Sequence, residues 1–404
     1  MTKLKIGIIR EGKNPPDTRV AFTPEQCVEI IQQFNVDVFV QSSPNRCFKD
    51  EDYIIKGINV IEDISHCDVL VGIKEVPIAS LISNKKYFFF SHTIKQQAHN
   101  RLLLQQILAK NITLIDYETI VDNNAERLIA FGRFAGIVGA HNSIRAWMLR
   151  NKNYDLKPMN TCYDMAEAIS NYSELPFSNE RIVLTGNGRV SSGAKEILLQ
   201  MKIQQVNVDT FLNEKLDKPI FVQLKPNDYV ERISDKEFNK AEYYKNPELY
   251  RNTFKRFLPH TDILINGIFY NNKAPRFFEL PDLNNNNKIQ VIGDITCDMM
   301  PHSSIPCTVF TSTIASPFWS FDIKQNSKSN LPFEKENITM MTIDNLPNEL
   351  PRDASKSFGT MFITHVLPSL FNNDCDKILE NATITKNGKL TDRFNYLQKF
   401  VQGE

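Results

Sequence analysis

The sequence predicts an α/β protein of two domains, each built on a mostly parallel sheet, and three observations carry that reading. Short apolar runs alternate with helical spacing through the first third of the chain. In the middle, the glycine turn Gly186-Asn187-Gly188 stands between an apolar run and a helical pattern. With 404 residues and 42% hydrophobic content, the chain is long and apolar enough for two cores of ordinary size.

Leu4 to Ile9 reads as a first strand. Thr23-Pro24-Glu25 reads as an N-cap with proline in the first helical position, opening a helix to about Phe34. Val36 to Val40 is the next strand, Asp50 to Gly57 is helical, and Val69 to Ile73 is a strand ending at Lys74-Glu75. Tyr87 to Phe90 ends at Ser91-His92-Thr93, and Gln96 to Ala109 has the helical spacing of Leu103, Ile107 and Leu108. Ile112 to Ile115 ends at Asp116-Tyr117-Glu118. Such alternation argues for a parallel sheet with helices on both faces.

A long helix from about Gly132 to Leu149 leads into the second α/β unit, and its Ala135, Gly136, Gly139 and Ala140 permit close helix packing. The strands of that unit are Ile182 to Leu184, Asn207 to Phe211, Ile263 to Gly267 and Ile289 to Asp294. Residues 227–259, rich in Lys, Tyr and Asn, read as a largely helical insertion, and Asn284 to Asn287 as a low-complexity loop. A strand from Met340, a loop at 344–351 and a helix from Ala354 to Leu370 return the chain to the first domain. The expected division is therefore 1–135 plus about 340–404 in one domain and 136–339 in the other.

Composition narrows the function classes. Lys+Arg and Asp+Glu both number 47, so net charge favours neither nucleic acid nor a membrane surface. No window approaches the roughly 20 apolar residues that a spanning helix needs. The run after MTKLK is too short for a signal peptide. Seven scattered cysteines without C-x-x-C imply reduced thiols and a cytoplasmic setting. No His/Cys cluster has metal-ligand spacing, so no metal is expected.

Ligands of open α/β sheets gather outside the carboxyl ends of the strands. In the first domain those ends carry Arg10/Glu11, Lys74/Glu75, His92 and Glu118. A lone surface lysine or a capping histidine would look the same, but four ionisable strand ends together point to a site. Redox chemistry at a C–N or C–O centre needs groups that take and give the heteroatom proton, and hydrolysis of an imine needs a second acid/base. Lysine and histidine fill both posts when burial and neighbouring charge tune them. Arg19 and Arg127 would pair substrate carboxylates, or would be surface or helix-capping arginines; spacing does not choose. In the second domain a strand–glycine turn–helix unit would suit a pyrophosphate or be an ordinary βα turn, and by itself it does not choose, because Ser191 stands where G-x-G-x-x-G has its third glycine and Gly193 comes two residues later.

Several long motifs then occur in one order over nearly the whole chain: REGKNPPDTRVAFTP at 10–24, VGIKEVP at 71–77, FFFSHTIK at 88–95, LIDYETIVD at 114–122, RLIAFGRFAG at 127–136, LTGNGRVSSGA at 184–194, LPHTDILINGIFY at 258–270, VIGDITCD at 291–298 and IDNLPNELPRDAS at 343–355. On these the chain resembles the lysine-forming saccharopine dehydrogenases, above all the lysine–ketoglutarate reductase half of bifunctional aminoadipic semialdehyde synthase. More broadly it resembles the alanine dehydrogenase/transhydrogenase fold. The resemblance implies two Rossmann-like domains with a cleft between them. It also implies interconversion of saccharopine with lysine and 2-oxoglutarate by NAD or NADP, in a monomer or homo-oligomer. It places the acid/base pair on Lys74 and His92, and substrate contacts on Arg19, Gln97, Arg127 and Phe131, with Glu75 and Glu118 tuning the pair. Cofactor contacts fall on Gly186, Gly188, Arg189, Ile268 and Asp294.

The chain departs from NAD-binding relatives in the region QVNVDTFLNEK, where Asp209 reads as lying inside a strand. The residues after it, Thr210 to Asn213, offer neither a ribose-binding acid nor a base for a 2′-phosphate. Two other readings remain: an alanine-dehydrogenase-like amino acid oxidoreductase, and a cofactor-binding regulatory protein without turnover, which Ser191 would suit.

Overall fold

The computed structural model describes residues 3–284 and 286–404. Of the expected low-complexity loop at 284–287, Asn285 lies outside the described residues. The chain divides into two compact units, 1–131 with 351–404, and 132–350. Each is an α/β unit around one eight-stranded, mostly parallel sheet.

In the first unit the strands lie in the order Lys389–Leu390, Thr383–Lys386, Thr113–Asp116, Lys86–Phe89, Val69–Val71, Lys5–Ile8, Asp37–Gln41, Asn59–Ile61. The six from Thr113–Asp116 onward are parallel, and the two C-terminal strands add antiparallel. The helix Pro24–Phe34 starts as read: Thr23 and Gln26 form a capping box, Pro24 takes the first turn, and Asn35 ends it in the left-handed conformation. Gln26 also donates to the Lys356 carbonyl at 2.8 Å, tying this helix to the returning helix Pro351–His365. That second helix drives Phe358 and Phe362 into an aromatic core with Phe22, Phe88 and Tyr117.

In the second unit the order is Ser327–Ser329, Phe318–Asp322, Ile338–Met341, Val291–Asp294, Ile263–Asn266, Arg181–Thr185, Ile220–Leu224, Gln204–Val206. One expectation is corrected here. Asn207 to Phe211 is no strand: Asn207 caps the helix Val208–Asn213 by accepting the Thr210 N–H at 2.8 Å, and Val208 and Phe211 share its inner face. The neighbour of the glycine-turn strand is instead Ile220–Leu224. The stretch 227–259, expected as largely helical, combines helical turns at Pro226–Tyr229, Lys240–Lys245, Pro247–Leu249 and Phe254–His260 with a two-stranded ribbon, Val230–Arg232 with Tyr250–Asn252. Phe238 and Tyr243 each pack edge to face on Tyr250, an aromatic cluster that suits a ribbon better than a long helix.

The helix Gly132–Asn151 is buried on most sides. Its Asn142 donates to Glu349 at 2.8 Å, and Glu349 is only 3% exposed, so burial pushes the Glu349 carboxyl up to about 7 from 4.5, against the pull of Asn142 and Arg145. The folded chain then holds an extra proton between those two values, and stability is lost as pH rises through that window, by about 3 kcal/mol in all. Glu349→Gln keeps the acceptor without the charge. Its melting temperature should match wild type at pH 5 and exceed it at pH 8, and an equal difference at both would refute the argument.

Among the described residues no helix is long and apolar enough to cross a membrane, and no group of His, Cys, Asp or Glu could hold a metal ion.

Candidate active site

Sheet order gathers the ionisable strand ends of the first unit. The strand Lys5–Ile8 lies between Asp37–Gln41 and Val69–Val71, so the order of strands reverses there, and connections leave such a point in opposite directions. Glu11 follows the first of these strands and Lys74-Glu75 the last. His92 and Glu118 follow the next two, Lys86–Phe89 and Thr113–Asp116.

Glu11 accepts two backbone N–H groups across the reversal, from Ile73 at 2.6 Å and from Lys74 at 2.9 Å. Burial, and after it the charge of Asp17, raise its carboxyl to about 8 despite those donors. Lys74 is brought down to about 8 by burial first, then by the charges of Arg19 and Lys13. Beside it, Glu75 Oε1 is hydrogen-bonded to His92 Nδ1. Burial works to raise the Glu75 carboxyl, but the His92 bond and charge outweigh it and take the group to about 2. His92 has φ +54°, a left-handed conformation that few non-glycine residues adopt. Its ring lies nearly parallel to Phe90 at 6.3 Å. With Nδ1 committed to Glu75, Nε2 is the nitrogen left to meet a substrate.

Glu118 is held by Asp116, which accepts its N–H at 2.7 Å together with the Ser91 N–H and hydroxyl. Glu118 Oε1 faces Arg127 at 3.3 Å and Lys95 at 3.4 Å, while its Oε2 is buried without a hydrogen-bond partner. Arg19 is buried, clamped by Asp17 through two bonds of 2.9 and 2.6 Å, and its guanidinium lies 4.2 Å over the Phe131 ring. Phe131 stacks in turn on Phe358, 5.0 Å away with the rings 8° apart. Gln97 is exposed at the start of the turn Ala98–Asn100. The structure thus brings Lys74, Glu75 and His92 together with Glu11, Asp17 and Arg19, and gathers Glu118, Arg127 and Lys95 separately. Asp17, Lys95 and Phe358 escaped the sequence reading; Asp17 sits two residues from Arg19, the spacing of a local ion pair. A 610 Å³ cavity lined by Lys86, Lys386 and Arg393 opens instead at the amino ends of these strands, beside as many carboxylates (Asp374, Glu380, Asp392), and holds none of these groups.

In the second unit the glycine turn is shaped by what a side chain would displace. Gly186 has φ +94° and donates to the Leu224 carbonyl at 2.8 Å. Gly188 caps the helix Arg189–Gln200, and a β-carbon there would meet nothing within 4 Å. This is open space at the N–H end of a three-turn helix, which suits a pyrophosphate. Ser191 is no defect: its hydroxyl donates to the Thr185 carbonyl at 2.8 Å and contacts that of Gly267 at 3.1 Å, closing the turn. The close approach a third glycine permits has moved to Gly193, which lies against the Arg133 carbonyl. Arg189 is exposed and Ile268 half-buried, both at this end of the sheet. Asp294 is not free to reach a ligand. Its fully buried carboxyl accepts Asn266 at 2.9 Å and the Thr296 and Thr308 hydroxyls at 2.7 and 2.6 Å, and burial raises it.

The residue that would meet an adenosine ribose ends the strand beside the glycine turn. That strand is Ile220–Leu224, so the position is Lys225 rather than Asp209, which lies exposed on the capped helix. The first carboxylate after Lys225 is Asp228, and it turns back to accept the Lys225 N–H at 2.7 Å.

Residues 7–138 match the family model described as alanine dehydrogenase/PNT, N-terminal domain. The chain is 29% identical over 440 residues to mitochondrial alpha-aminoadipic semialdehyde synthase of Mus musculus, covering 96% of this chain and 47% of that protein. To the saccharopine dehydrogenase (NAD(+), L-lysine-forming) of Yarrowia lipolytica it is 26% identical over 384 residues, covering 90% of each. The chain is a homologue of both. It spans about half the length of the mouse relative. Among solved structures, an L-alanine dehydrogenase superposes with a TM-score of 0.66 at 15% identity, covering 98% of this chain and all of that one. The transhydrogenase from Sinorhizobium meliloti gives 0.58 at 13% identity, covering 96% of this chain and all of that one. These two likenesses establish the fold: two mostly parallel eight-stranded sheets of the alanine dehydrogenase/transhydrogenase kind.

Proposed function

We propose that this chain is a lysine-forming saccharopine dehydrogenase that interconverts saccharopine with L-lysine and 2-oxoglutarate, and that NADP is its preferred dinucleotide. The observation that carries the reading is a half-buried lysine with a lowered pKa, Lys74, beside the Glu75–His92 pair at the reversal of the first sheet. The homologues' names supply the substrate class.

The glycine turn fits a dinucleotide, with Gly186 turning the chain tightly against Ser191 and Gly267, Gly188 leaving room for the pyrophosphate, and Arg189 and Ile268 flanking it. When bound, the dinucleotide takes or gives the hydride at the carbon–nitrogen bond. The chain's own side chains handle the protons. Lys74, at about 8, exchanges a proton readily near neutral pH, and His92, aimed by Glu75, serves the second transfer. In the oxidative direction one of them takes the secondary-amine proton, and the other assists water in adding to the resulting imine; the carbinolamine so formed then collapses, its C–N bond breaking as the amine nitrogen is protonated, to lysine and 2-oxoglutarate. Arg19, Arg127 and Gln97 face the substrate's carboxylates, Phe131 backs Arg19, and Glu118 restrains Arg127. Ser191, which would have suited a binder without turnover, instead holds the turn closed.

The test is oxidation of NADPH or NADH in the presence of lysine and 2-oxoglutarate, with alanine plus NAD(P) as a second arm; no turnover of either dinucleotide with lysine would remove the reading. A basic Lys225 with no free acid beside it favours a 2′-phosphate. Lys225→Asp should therefore weaken NADPH binding by about 10- to 100-fold while NADH binding holds or improves. An unchanged ratio of KM values would return the choice to NAD.

A further inference from the structure

Glu11 has no part in the proton transfers above, yet it is built into the same corner. The ladder between Lys5–Ile8 and Val69–Val71 pairs Ile8 with Val71, and the Ile9 N–H still reaches the Val71 carbonyl at 2.9 Å. Past that point the two chains leave in opposite directions and no backbone acceptor serves Ile73 and Lys74. The Glu11 side chain replaces the ladder there, with one carboxyl oxygen on each N–H. On its other side Glu11 borders a 160 Å³ cavity with Arg10, Gln41 and Tyr87.

We propose that Glu11 is a positioning residue: its two-oxygen grip on the Ile73 and Lys74 N–H groups holds the Lys74 side chain in its half-buried place and so sets the protonation of Lys74. The functional weight of this rests on the reading of Lys74 given above. The charged groups facing Lys74 are Arg19, Lys13, Asp17 and Glu75, and those facing Glu11 are Asp17 and Arg19. Glu11 is absent from the first group, so it acts on Lys74 through place rather than through its own charge. Glu11→Gln breaks the grip, because the amide NH₂ turns a donor toward one N–H donor. Glu11→Asp keeps both oxygens on a shorter reach.

Three measurements test this. Acetylation of Lys74 against pH, read by peptide mass mapping, reports its protonation without turnover. In Glu11→Gln the midpoint should rise toward the ordinary lysine range by about one unit or more, with Glu11→Asp between. In the lysine and 2-oxoglutarate assay kcat should fall on the order of 10- to 100-fold, with KM changed much less. Hydrogen exchange in the wild-type chain should show the Ile73 and Lys74 N–H groups protected. A folded Glu11→Gln with an unmoved Lys74 midpoint overturns the proposal, and so does rapid exchange at those two amides, which decides the matter even if neither variant folds. A shifted midpoint in a wild-type background without turnover would leave the positioning role standing and remove the dehydrogenase reading.

Discussion

Replacing Lys74 by methionine is expected to lower kcat by about 10²- to 10⁴-fold, the range over which one positioned acid/base contributes. That loss corresponds to roughly 3 to 5 kcal/mol of transition-state stabilisation. Methionine fills a similar length of half-buried slot without a titrating group, so the loss reports chemistry rather than collapse of the corner. Lys74 at about 8 also predicts the pH dependence. The step in which the neutral amine accepts a proton speeds up as pH rises through 8, and this limb should vanish in Lys74→Met. His92→Gln should cost a comparable factor and leave the limb near 8 in place, because Glu75 then loses its partner but Lys74 keeps its surroundings. Steady-state rates from pH 6 to 10 for the three proteins separate the two roles. Near-wild-type turnover in both variants would end the assignment of the pair.

The corner that these variants probe was legible in the sequence to the extent that strands end where apolar runs end. Lys74, His92 and Glu118 each follow a short run of buried residues, and a parallel sheet must bring such ends to one edge. Register and partner choice were not legible. That Glu11 reaches the Ile73 and Lys74 amides depends on Ile8 lying opposite Val71, which no local pattern records. Phe358 reaches Phe131 only because the C-terminal helix returns to the first unit. The same blindness misplaced the ribose position. QVNVDTF alternates well enough to pass for a strand, but Asn207 offers a cap and turns it into a helix. The strand on that side of the glycine-turn strand is Ile220–Leu224, so the residue beside the glycine turn is a lysine instead of an aspartate.

Gly193→Ala should be the most damaging single methyl in the second unit. A β-carbon at Gly193 would collide with the Arg133 carbonyl, and one at Gly136 with the Val190 carbonyl, so the helices Gly132–Asn151 and Arg189–Gln200 touch backbone to backbone at both points. Because the obstructing atoms are main chain, no side chain can swing aside, and the helices must part. Overpacking of this kind costs about 1 to 3 kcal/mol and sometimes more. The helix that must move is the one whose first turn faces the open space at Gly188, so dinucleotide affinity should fall together with the melting temperature. Gly188→Ala separates the two effects. Its backbone, at φ −89° and ψ −166°, is one an alanine adopts freely, and its β-carbon would meet no protein atom within 4 Å. The melting temperature of the free chain should therefore stay within about a degree of wild type, since a change well under 1 kcal/mol is expected. Dinucleotide binding should weaken, because the methyl occupies the approach a pyrophosphate needs. Calorimetric titration with NADPH and thermal melts of both variants read these outcomes. If Gly188→Ala binds as tightly as wild type, the cradle is not where the phosphates lie, and if Gly193→Ala melts unchanged, the helix contact does not hold the turn in place.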